Sequence, residues 1–486
     1  MTVHLVGAGC GTPALLTLGA RDLLACADHV VYDRLIHPDL LQLCPERCRF
    51  HAVGKRRGDH YLPQEKINSL LVRLGRMGGV TVRLKGGDPF LFGRGGEEAL
   101  ALEEASIPWK ALPGLSAALA GGAAGLSATH RGLARSLTLA TGHAGEMALD
   151  RSFWSALASA PGTVALYMGV SLFPDIVSLL EKEGLPSQTP AAAVTWAGWG
   201  RARKRSGTLA DLSEAARQGD LQSPSILYIG PAAELPLHPV PGPLQGMQVA
   251  CCRPAPESWE TARHLESFGA DAYSLPLLTL QRCHEPEAAD RIASADWIVL
   301  TSPRAPALMS EAAGDLRRIR ARFAVIGQGT ARALKETGLV ADTIATPETS
   351  EGLAQLLTET ISPGERVLFF RNERGSSLPV EAARLRGAAI DELAAYRMVA
   401  SPLPGEELYR EHWSEAPLDA VLFGSAALAE AWRERFGPLP SSCRAVAWGP
   451  HCGLAVRELF GLTPLIMERP DGDSLLETLK EAWSRE

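Results

Sequence analysis

The sequence predicts an α/β protein made of more than one domain. Its 486 residues exceed the usual length of a single domain, and 46% of them are hydrophobic, which is enough for several buried cores. Short apolar runs that end at glycine-rich turns alternate with longer amphipathic stretches. Such alternation of strand and helix patterns is typical of the α/β class.

The first predicted elements follow one another along the chain. Val3–Val6 is predicted as a strand that ends in a glycine-rich turn, Leu15–Ala27 as a helix, and His29–Tyr32 as a second strand. Val80–Leu84 is predicted as a strand and Glu97–Ala105 as a helix. The same alternation continues through the sequences TVALYMG, AAAVTWAG and SPSILYIGP.

A segment rich in proline and glycine, PAAELPLHPVPGPLQG, then interrupts the alternation. It has no apolar period and is typical of an extended, semi-rigid linker. We therefore predict a first domain over residues 1–232, a linker over 233–245 and a second domain over 246–486.

The second domain carries an internal repeat. ADWIVLTSPRAPAL resembles LDAVLFGSAALAEA, RFAVIGQGTARALKETGL resembles RAVAWGPHCGLAVRELFGL, and two further pairs of segments keep the same order. Matched pieces in one order predict a duplicated α/β lobe. The cleft between two such lobes is the expected place for a small-molecule site.

Composition and charge exclude several classes of function. The net charge of −7 argues against nucleic acid as a general partner. No secretory signal is recognisable and no apolar run reaches membrane-spanning length, so we expect a cytoplasmic protein without membrane contact. The nine cysteines lack metal-ligand spacing, so we expect reduced thiols and no metal.

The sequence GAGCG at Gly7–Gly11 follows the first predicted strand. A G-x-G-x-x-G dinucleotide fingerprint would need glycine in place of Thr12, which argues against a nicotinamide cofactor. Two interpretations stay open: a tight structural turn, or a turn where the backbone closely approaches a ligand, which glycine permits.

The sequence KGGDPFLFGRGGEE at Lys85–Glu98 is the more specific motif. Its glycines leave backbone exposed at the end of a predicted strand, and Asp88 is a candidate acceptor for ligand hydroxyl or amine groups. A lone turn of this kind would be structural. Combined with the glycine-rich start of the next predicted helix, it indicates a binding site.

Several motifs of the first domain together resemble one enzyme family. VGAG-x-G-x-P-x-LLTL, VVYDRL, VGKR-x-G-x-H, PQE-x-IN, VRLKGGDPF-x-FGRGGEE, PG-x-SAA, THR, TGH and LYMG, in this order, resemble uroporphyrinogen-III C-methyltransferase over nearly all of residues 1–230. The resemblance implies the tetrapyrrole-methylase fold, which has two α/β subdomains with S-adenosyl-L-methionine in the cleft between them. It also implies release of S-adenosyl-L-homocysteine and usually a homodimer.

The same resemblance implies roles for individual residues. Asp33 matches the family's proton acceptor and Lys55 its proton donor. Residues taken to contact the cofactor are Cys10, Gly86, Gly87, Asp88, Leu91, Ser116, Ala117, Met168 and Ala197. Cys10 and Ala197 stand where the family usually has proline and glycine. Taken alone, Asp33 also fits a helix cap, Lys55 a surface position and Met168 a core position.

The substrate that the resemblance implies carries eight carboxylates, so its site needs fixed cations. Arginine holds carboxylates through two parallel hydrogen bonds. The candidates are Arg34, Arg56, Arg94 and Arg131. A solvated charged face is the alternative interpretation for each of them.

The second domain is marked by small residues at the ends of predicted strands: TSP at Thr301–Pro303, GQG at Gly327–Gly329, FGSAA at Phe423–Ala427 and WGP at Trp448–Pro450. Several of these turns precede helices, whose free N–H groups can bind carboxylates. Capping of the helices by Thr and Ser is the alternative, and both can hold together.

The patterns RP, GA-x-x-x-x-LPLL, DW-x-V-x-TSP, AVIG-x-GTA-x-AL, YR and VLFGS resemble uroporphyrinogen-III synthase across residues 246–486. The resemblance implies two lobes joined by two strands, one lobe over 246–278 plus 404–486 and the other over 284–396. It also implies Tyr396 as the group that assists departure of the substrate hydroxyl, although a buried core tyrosine is the alternative. The residues expected to grip substrate carboxylates are Arg253, Thr301, Ser302, Arg371, Ser425 and Gly449.

Together the two resemblances imply a bifunctional enzyme of tetrapyrrole biosynthesis. The second domain would cyclise hydroxymethylbilane to uroporphyrinogen III with inversion of the last ring, and the first would methylate that product at C2 and C7 to precorrin-2, a step towards sirohaem or cobalamin. Three alternatives are weighed: a methyltransferase for a later corrinoid, a second domain that binds tetrapyrroles without catalysis, and a nicotinamide-dependent oxidoreductase.

Overall fold

A computed structural model describes residues 2–54, 62–142, 150–283, 287–469 and 471–483. The chain divides into two compact units. The first consists of Met1–Leu277 with Pro402–Glu486, and the second of Leu278–Ser401. Within the described residues, no helix combines the length and the apolar character needed to cross a membrane.

The first unit begins with a five-stranded parallel sheet of order β3-β2-β4-β1-β5. Its β2 is buried at every position, as expected for a parallel strand covered on both faces. The elements are β1 (Thr2–Gly7), α1 (Leu18–Leu24), β2 (His29–Tyr32), β3 (Arg49–Ala52), α2 (Gln64–Met77), β4 (Val80–Lys85), α3 (Gly95–Glu104) and β5 (Trp109–Leu112).

The predicted strand His29–Tyr32 is confirmed, but two predicted helices have other bounds. The helix predicted over Leu15–Ala27 begins only at Leu18, because the Thr17 side chain caps it by accepting a hydrogen bond from the Ala20 amide. The residues before it, Pro13–Leu15, form a single 3-10 turn. The helix predicted from Glu97 begins earlier, at Gly95.

A second, mixed sheet of order β6-β7-β10-β8-β9 follows. Its β10 runs antiparallel to both neighbours, while β6 and β7 are parallel. Buried Trp154 and Phe173 anchor the core between this sheet and its helices. The elements are β6 (Leu137–Thr141), α4 (Arg151–Ala158), β7 (Thr163–Tyr167), α5 (Phe173–Lys182), β8 (Pro190–Thr195), β9 (Arg203–Thr208), α6 (Leu209–Arg217) and β10 (Ser225–Ile229).

The predicted linker has no strand or helix after the 3-10 turn Pro231–Glu234, up to the next strand. Its middle is exposed, with Val240 94% accessible to solvent. Its end is anchored, since Leu244 is fully buried and its amide donates to the Phe268 carbonyl. Both sides of this segment belong to the first unit.

The chain next forms part of a third sheet, leaves it for the second unit, and then returns. The first part comprises β11 (Gln248–Cys252), α7 (Glu257–Glu266) and β12 (Asp271–Ser274). The second unit comprises β13 (Leu278–Arg282), α8 (Ala288–Ser294), β14 (Trp297–Leu300), α9 (Ala305–Ala313), β15 (Arg322–Val325), α10 (Gln328–Glu336), β16 (Thr343–Ile344), α11 (Ser350–Thr360), β17 (Arg366–Asn372), α12 (Leu378–Leu385) and β18 (Ala389–Ala400). The returning part comprises α13 (Glu406–Glu415), β19 (Ala420–Phe423), α14 (Ala426–Phe436), β20 (Arg444–Ala447), α15 (Pro450–Phe460), β21 (Leu465–Ile466) and α16 (Gly472–Trp483).

The internal duplication is visible in the topology of the two sheets. The third sheet has the order β12-β11-β19-β20-β21, and the sheet of the second unit has the order β13-β18-β17-β14-β15-β16. Apart from the added edge strand β13, the orders correspond strand by strand, with β11 matching β17 and β19 matching β14. The repeated sequence segments therefore form repeated lobes.

Candidate active site

A cavity of about 370 Å³ lies in the first unit, against residues of both of its first two sheets. Turns that follow β1 and β4 line one side, and residues at the ends of β7, β8 and β10 line the other. Its volume falls in the range of small-molecule sites. All nine residues expected to contact a cofactor line it, namely Cys10, Gly86, Gly87, Asp88, Leu91, Ser116, Ala117, Met168 and Ala197.

The wall of this cavity contains a direct contact between two backbone turns. Gly11 has a φ of +95°, and a Cβ built on it would lie 1.9 Å from the carbonyl oxygen of Gly198. The Thr12 amide donates to that same oxygen at 3.1 Å. Only glycine fits at Gly11, because a side chain there would separate the two turns.

Asp88 stabilises the turn after β4. One carboxylate oxygen accepts the Phe90 amide at 2.9 Å, and the other accepts the Gly114 amide at 3.2 Å. Each oxygen has a second lone pair, so the carboxylate can still accept a ligand donor. Asp88 therefore combines a structural role with a position on the cavity wall.

Sequence reasoning missed Tyr167, which also lines the cavity. Its hydroxyl lies 2.6 Å from the Ser116 hydroxyl and accepts the Ala118 amide at 3.1 Å. Tyr167 precedes Met168 in the LYMG motif. The motif itself was the signal that could have identified it.

Unusual backbone conformations cluster at this cavity. Phe92, Met168 and Trp196 have φ values of 54°, 52° and 52°, in the left-handed region that non-glycine residues seldom adopt. All three line the cavity. Such residues persist where the surrounding structure enforces them, which occurs most often at functional sites.

Burial raises the pKa of the Cys10 thiol to about 11. Cys10 is therefore a neutral thiol near pH 7, with little nucleophilic thiolate. Its contribution to the cavity is shape and apolar surface.

Asp33, whose side chain is 30% exposed, contacts a buried cluster of charges and precedes the cavity residue Arg34. Arg83 donates to one Asp33 oxygen at 2.7 Å, and the Lys85 ammonium lies 3.9 Å from the other. Both cations also contact one oxygen of Glu98 at 2.9 Å. The two carboxylates balance the two cations, which makes their burial tolerable.

Sequence reasoning also missed Arg83, Lys85 and Glu98, all of which are at most 4% exposed. Burial, followed by the nearby Arg83 charge, lowers the pKa of Lys85. The signal in the sequence was VTVRLK, where two basic residues two positions apart share one face of a strand that is otherwise apolar. Two cations within a buried strand require carboxylate partners.

Of the other residues expected to act in the first domain, those that the structure describes do not all meet at the cavity. Lys55 and Arg56 lie outside the described residues. Arg34 lines the cavity and donates to the carboxylate of Glu415 in α13. Arg94 pairs with Glu97 at 2.7 Å, and Arg131 lies exposed in a turn; neither lines the cavity.

Three residues expected to bind substrate follow strands of the third sheet. The Arg253 guanidinium lies 3.9 Å from the centre of the Trp448 ring and donates to the Thr261 hydroxyl. Ser425 caps α14 by accepting the Leu428 amide, and Gly449 precedes α15. Both helix starts offer N–H groups at the carboxyl end of the sheet.

The remaining four lie in the second unit, in or directly after three neighbouring strands. Thr301 and Ser302 follow β14, while Arg371 and Tyr396 belong to β17 and β18. Arg371 pairs with Glu392. Tyr396 is 4% exposed and belongs to the hydrophobic core of this unit, so the interpretation as a core tyrosine also fits its surroundings.

Two family models match separate parts of the chain. Residues 2–213 match the family model "Tetrapyrrole (Corrin/Porphyrin) Methylases", and residues 260–477 match "Uroporphyrinogen-III synthase HemD". The chain is 30% identical to the porphyrin biosynthesis protein HemD of Ruminiclostridium josui, over 99% of this chain and 97% of that protein.

Other relatives match one half only. The siroheme synthase of Chromobacterium violaceum is 44% identical over 48% of this chain, and this chain spans 50% of its length. The Thermus thermophilus uroporphyrin-III C-methyltransferase complexed with S-adenosylhomocysteine is 33% identical over 48% of this chain and 94% of that one, with a TM-score of 0.41. A mutant uroporphyrinogen III synthase of Thermus thermophilus is 24% identical over 50% of this chain and 100% of that one, with a TM-score of 0.40.

Proposed function

The chain belongs to the family that joins a tetrapyrrole methylase to a uroporphyrinogen-III synthase, and on this premise we propose that it catalyses two successive reactions. The synthase half cyclises hydroxymethylbilane to uroporphyrinogen III, with loss of water and inversion of the last ring. The methylase half then methylates uroporphyrinogen III at C2 and C7 to give precorrin-2. The methyl donor is S-adenosyl-L-methionine.

One observation carries the methyl-transfer proposal: nine residues far apart in sequence line one cavity of about 370 Å³. Its glycine turns leave backbone N–H and C=O groups exposed to a ligand, while apolar side chains such as Leu91 and Met168 can cover an adenosine or a thioether chain. These features fit S-adenosyl-L-methionine. When bound, it supplies an electrophilic methyl group.

The chain's own residues position the partners and handle a proton. Each target ring carbon already carries a side chain, so the incoming methyl group makes it quaternary and leaves the ring cationic. A proton must then leave from another position of the ring system, and Asp33 is the proposed acceptor. Arg83 holds one oxygen of Asp33, which orients the carboxylate. Alignment of the reacting carbons in a site from which water is excluded would supply much of the acceleration.

For the synthase half, support comes from residues at the strand ends of two similar lobes. Helix starts at Ser425 and Gly449 can hold carboxylates through backbone N–H groups. Departure of the substrate hydroxyl leaves a cation that is already stabilised by the pyrrole. The step therefore needs one proton donor, proposed to be Tyr396. It also needs a site that holds the open-chain substrate in the shape required for ring closure with inversion.

A second candidate is a methylase fused to a lobe pair that binds tetrapyrroles without catalysis. The observation in its favour is the 4% exposure of Tyr396 inside an apolar core, where a hydroxyl has little access to a substrate. The two candidates differ in whether ring closure is catalysed.

The test supplies the purified full chain with hydroxymethylbilane, with and without S-adenosyl-L-methionine, and identifies the porphyrin isomers and methylated products. The proposal predicts the type III isomer without the methyl donor and a dimethylated product with it. Formation of only the type I isomer would favour the non-catalytic module. Failure to methylate added uroporphyrinogen III would refute the methylase proposal.

A further inference from the structure

The loop between β8 and β9, residues 196–201, forms part of the cavity wall through Trp196, Ala197 and Trp199. Its backbone turns tightly: the Trp199 amide donates to the Trp196 carbonyl, and the Ala202 amide to the Trp199 carbonyl, both at 3.0 Å. The position of this loop therefore sets the shape of the cavity on that side.

The end of the loop is held by a residue of the synthase half. The Gly200 amide donates to one Asp271 oxygen at 2.6 Å, and the Arg201 guanidinium lies 3.3 Å from the other. Asp271 is fully buried and Arg201 is 9% exposed. Gln248 completes the contact by donating to Asp271 at 2.8 Å and accepting from Arg201 at 3.3 Å.

A second contact from the synthase half supports the tryptophans. His412 of α13 packs against Trp199 with ring centres 5.0 Å apart, and its Nδ1 accepts from Arg201 at 3.4 Å. Arg201 lies over Trp196, with its guanidinium carbon 3.8 Å from the ring centre. Arg201 thus joins the cavity side of the loop to the buried residues of the synthase half.

We infer that Asp271 and His412 of the synthase half position the 196–201 loop, so that methyl-donor affinity in the methylase half depends on them. This inference rests on the proposed function, since it takes the cavity to be the methyl-donor site. Both are positioning residues, because neither lines the cavity. A loop held in its binding conformation spares the ligand the entropic cost of ordering it.

The charges explain why the coupling should be strong. Arg201 and Asp271 are buried together, and loss of one partner leaves the other charge without compensation. The loop would then move to restore hydration, and Trp196 and Trp199 would move with it. Coupling between sites in one protein commonly changes affinity by about 5- to 150-fold.

The experiment compares full-length Asp271→Asn and His412→Leu with the wild type, using calorimetric titration with S-adenosyl-L-homocysteine and initial rates of both reactions. We expect about tenfold weaker binding and a similar rise in KM for S-adenosyl-L-methionine. The kcat of methylation and the rate of ring closure should stay within about twofold, because the reacting groups are untouched. Asp342→Asn is the matched control, since this exposed carboxylate also accepts a backbone amide, that of Phe323.

A merely structural role would lower the apparent kcat and the thermal stability through loss of folded protein and would leave KM unchanged. Unchanged binding by either folded variant would overturn the inference. If the wild type itself does not bind S-adenosyl-L-homocysteine, the proposed function fails instead.

A measurement on the wild type covers the case in which neither variant folds. Coupling is reciprocal, so S-adenosyl-L-homocysteine should slow amide hydrogen exchange at residues 271–274 and 409–413. Protection confined to the methylase half would also overturn the inference.

Discussion

The carboxylate of Asp39, in the methylase half, accepts a hydrogen bond from the guanidinium of Arg263, in the synthase half, at 2.8 Å. Asp39 is fully buried, and it also accepts from the Tyr409 hydroxyl at 2.8 Å and from the Ser274 amide at 2.9 Å. Burial raises the pKa of Asp39, although Arg263 opposes this change. The two halves are therefore joined by a buried polar contact as well as by the peptide segment between them.

Replacing Asp39 by Ala should destabilise the first unit. Arg263 would keep its contact with Glu266 but lose its partner in the other half, and the Tyr409 hydroxyl and Ser274 amide would each lose an acceptor. Breaking a buried pair in this way costs about 3–5 kcal/mol. Denaturant unfolding of the full chain measures the loss. Asp22→Ala is the control, because the Asp22–Arg21 pair is exposed, and an equal loss in both variants would contradict the prediction.

Stability should depend on pH through Glu266. Burial raises the pKa of this carboxyl from 4.5 to about 8, partly offset by Arg263. Between these two values the folded protein holds a proton that the unfolded chain releases, so the free energy of unfolding falls as pH rises through this window. Glu266→Gln should remove that slope. Unfolding curves of both proteins at several pH values give the difference, and parallel pH dependences would refute the assignment.

The turn contact at Gly11 predicts a selective effect on the cavity. A Cβ there would lie 1.9 Å from the Gly198 carbonyl oxygen, so Gly11→Ala must push the two turns apart. We expect at least about tenfold weaker binding of S-adenosyl-L-homocysteine in calorimetric titration. Gly96→Ala is the matched control, since a Cβ at Gly96 meets no atom within 4 Å. Equal affinities for the two variants would show that this contact does not shape the site.

Asp33→Asn tests the proposed proton acceptor. An amide of the same shape cannot accept the proton, so the kcat of methylation should fall by about 10²- to 10⁴-fold, with KM little changed. Ring closure by the synthase half should be unaffected. Steady-state rates with uroporphyrinogen III measure the first effect and type III isomer formation the second. A kcat within about threefold of the wild type would exclude Asp33 from proton transfer.

The sequence alone determined the class of fold, the family and nine of the residues that meet at the cavity. Strand-end turns are local features, because glycines and small residues mark them wherever the strand lies. The turns after β1 and β4 were therefore recognisable in GAGCG and KGGDPF. The duplicated lobe was recognisable for a similar reason, since repeated segments form repeated elements in one order.

Tertiary structure decided which charges meet. Arg34, expected to hold a substrate carboxylate, pairs with Glu415, which lies 381 positions further along the chain. Arg83 and Lys85 meet Asp33 and Glu98 because two strands and a helix pack side by side. No local pattern encodes such partners. Burial makes each charge depend on a specific distant residue, and only the packing of elements identifies it.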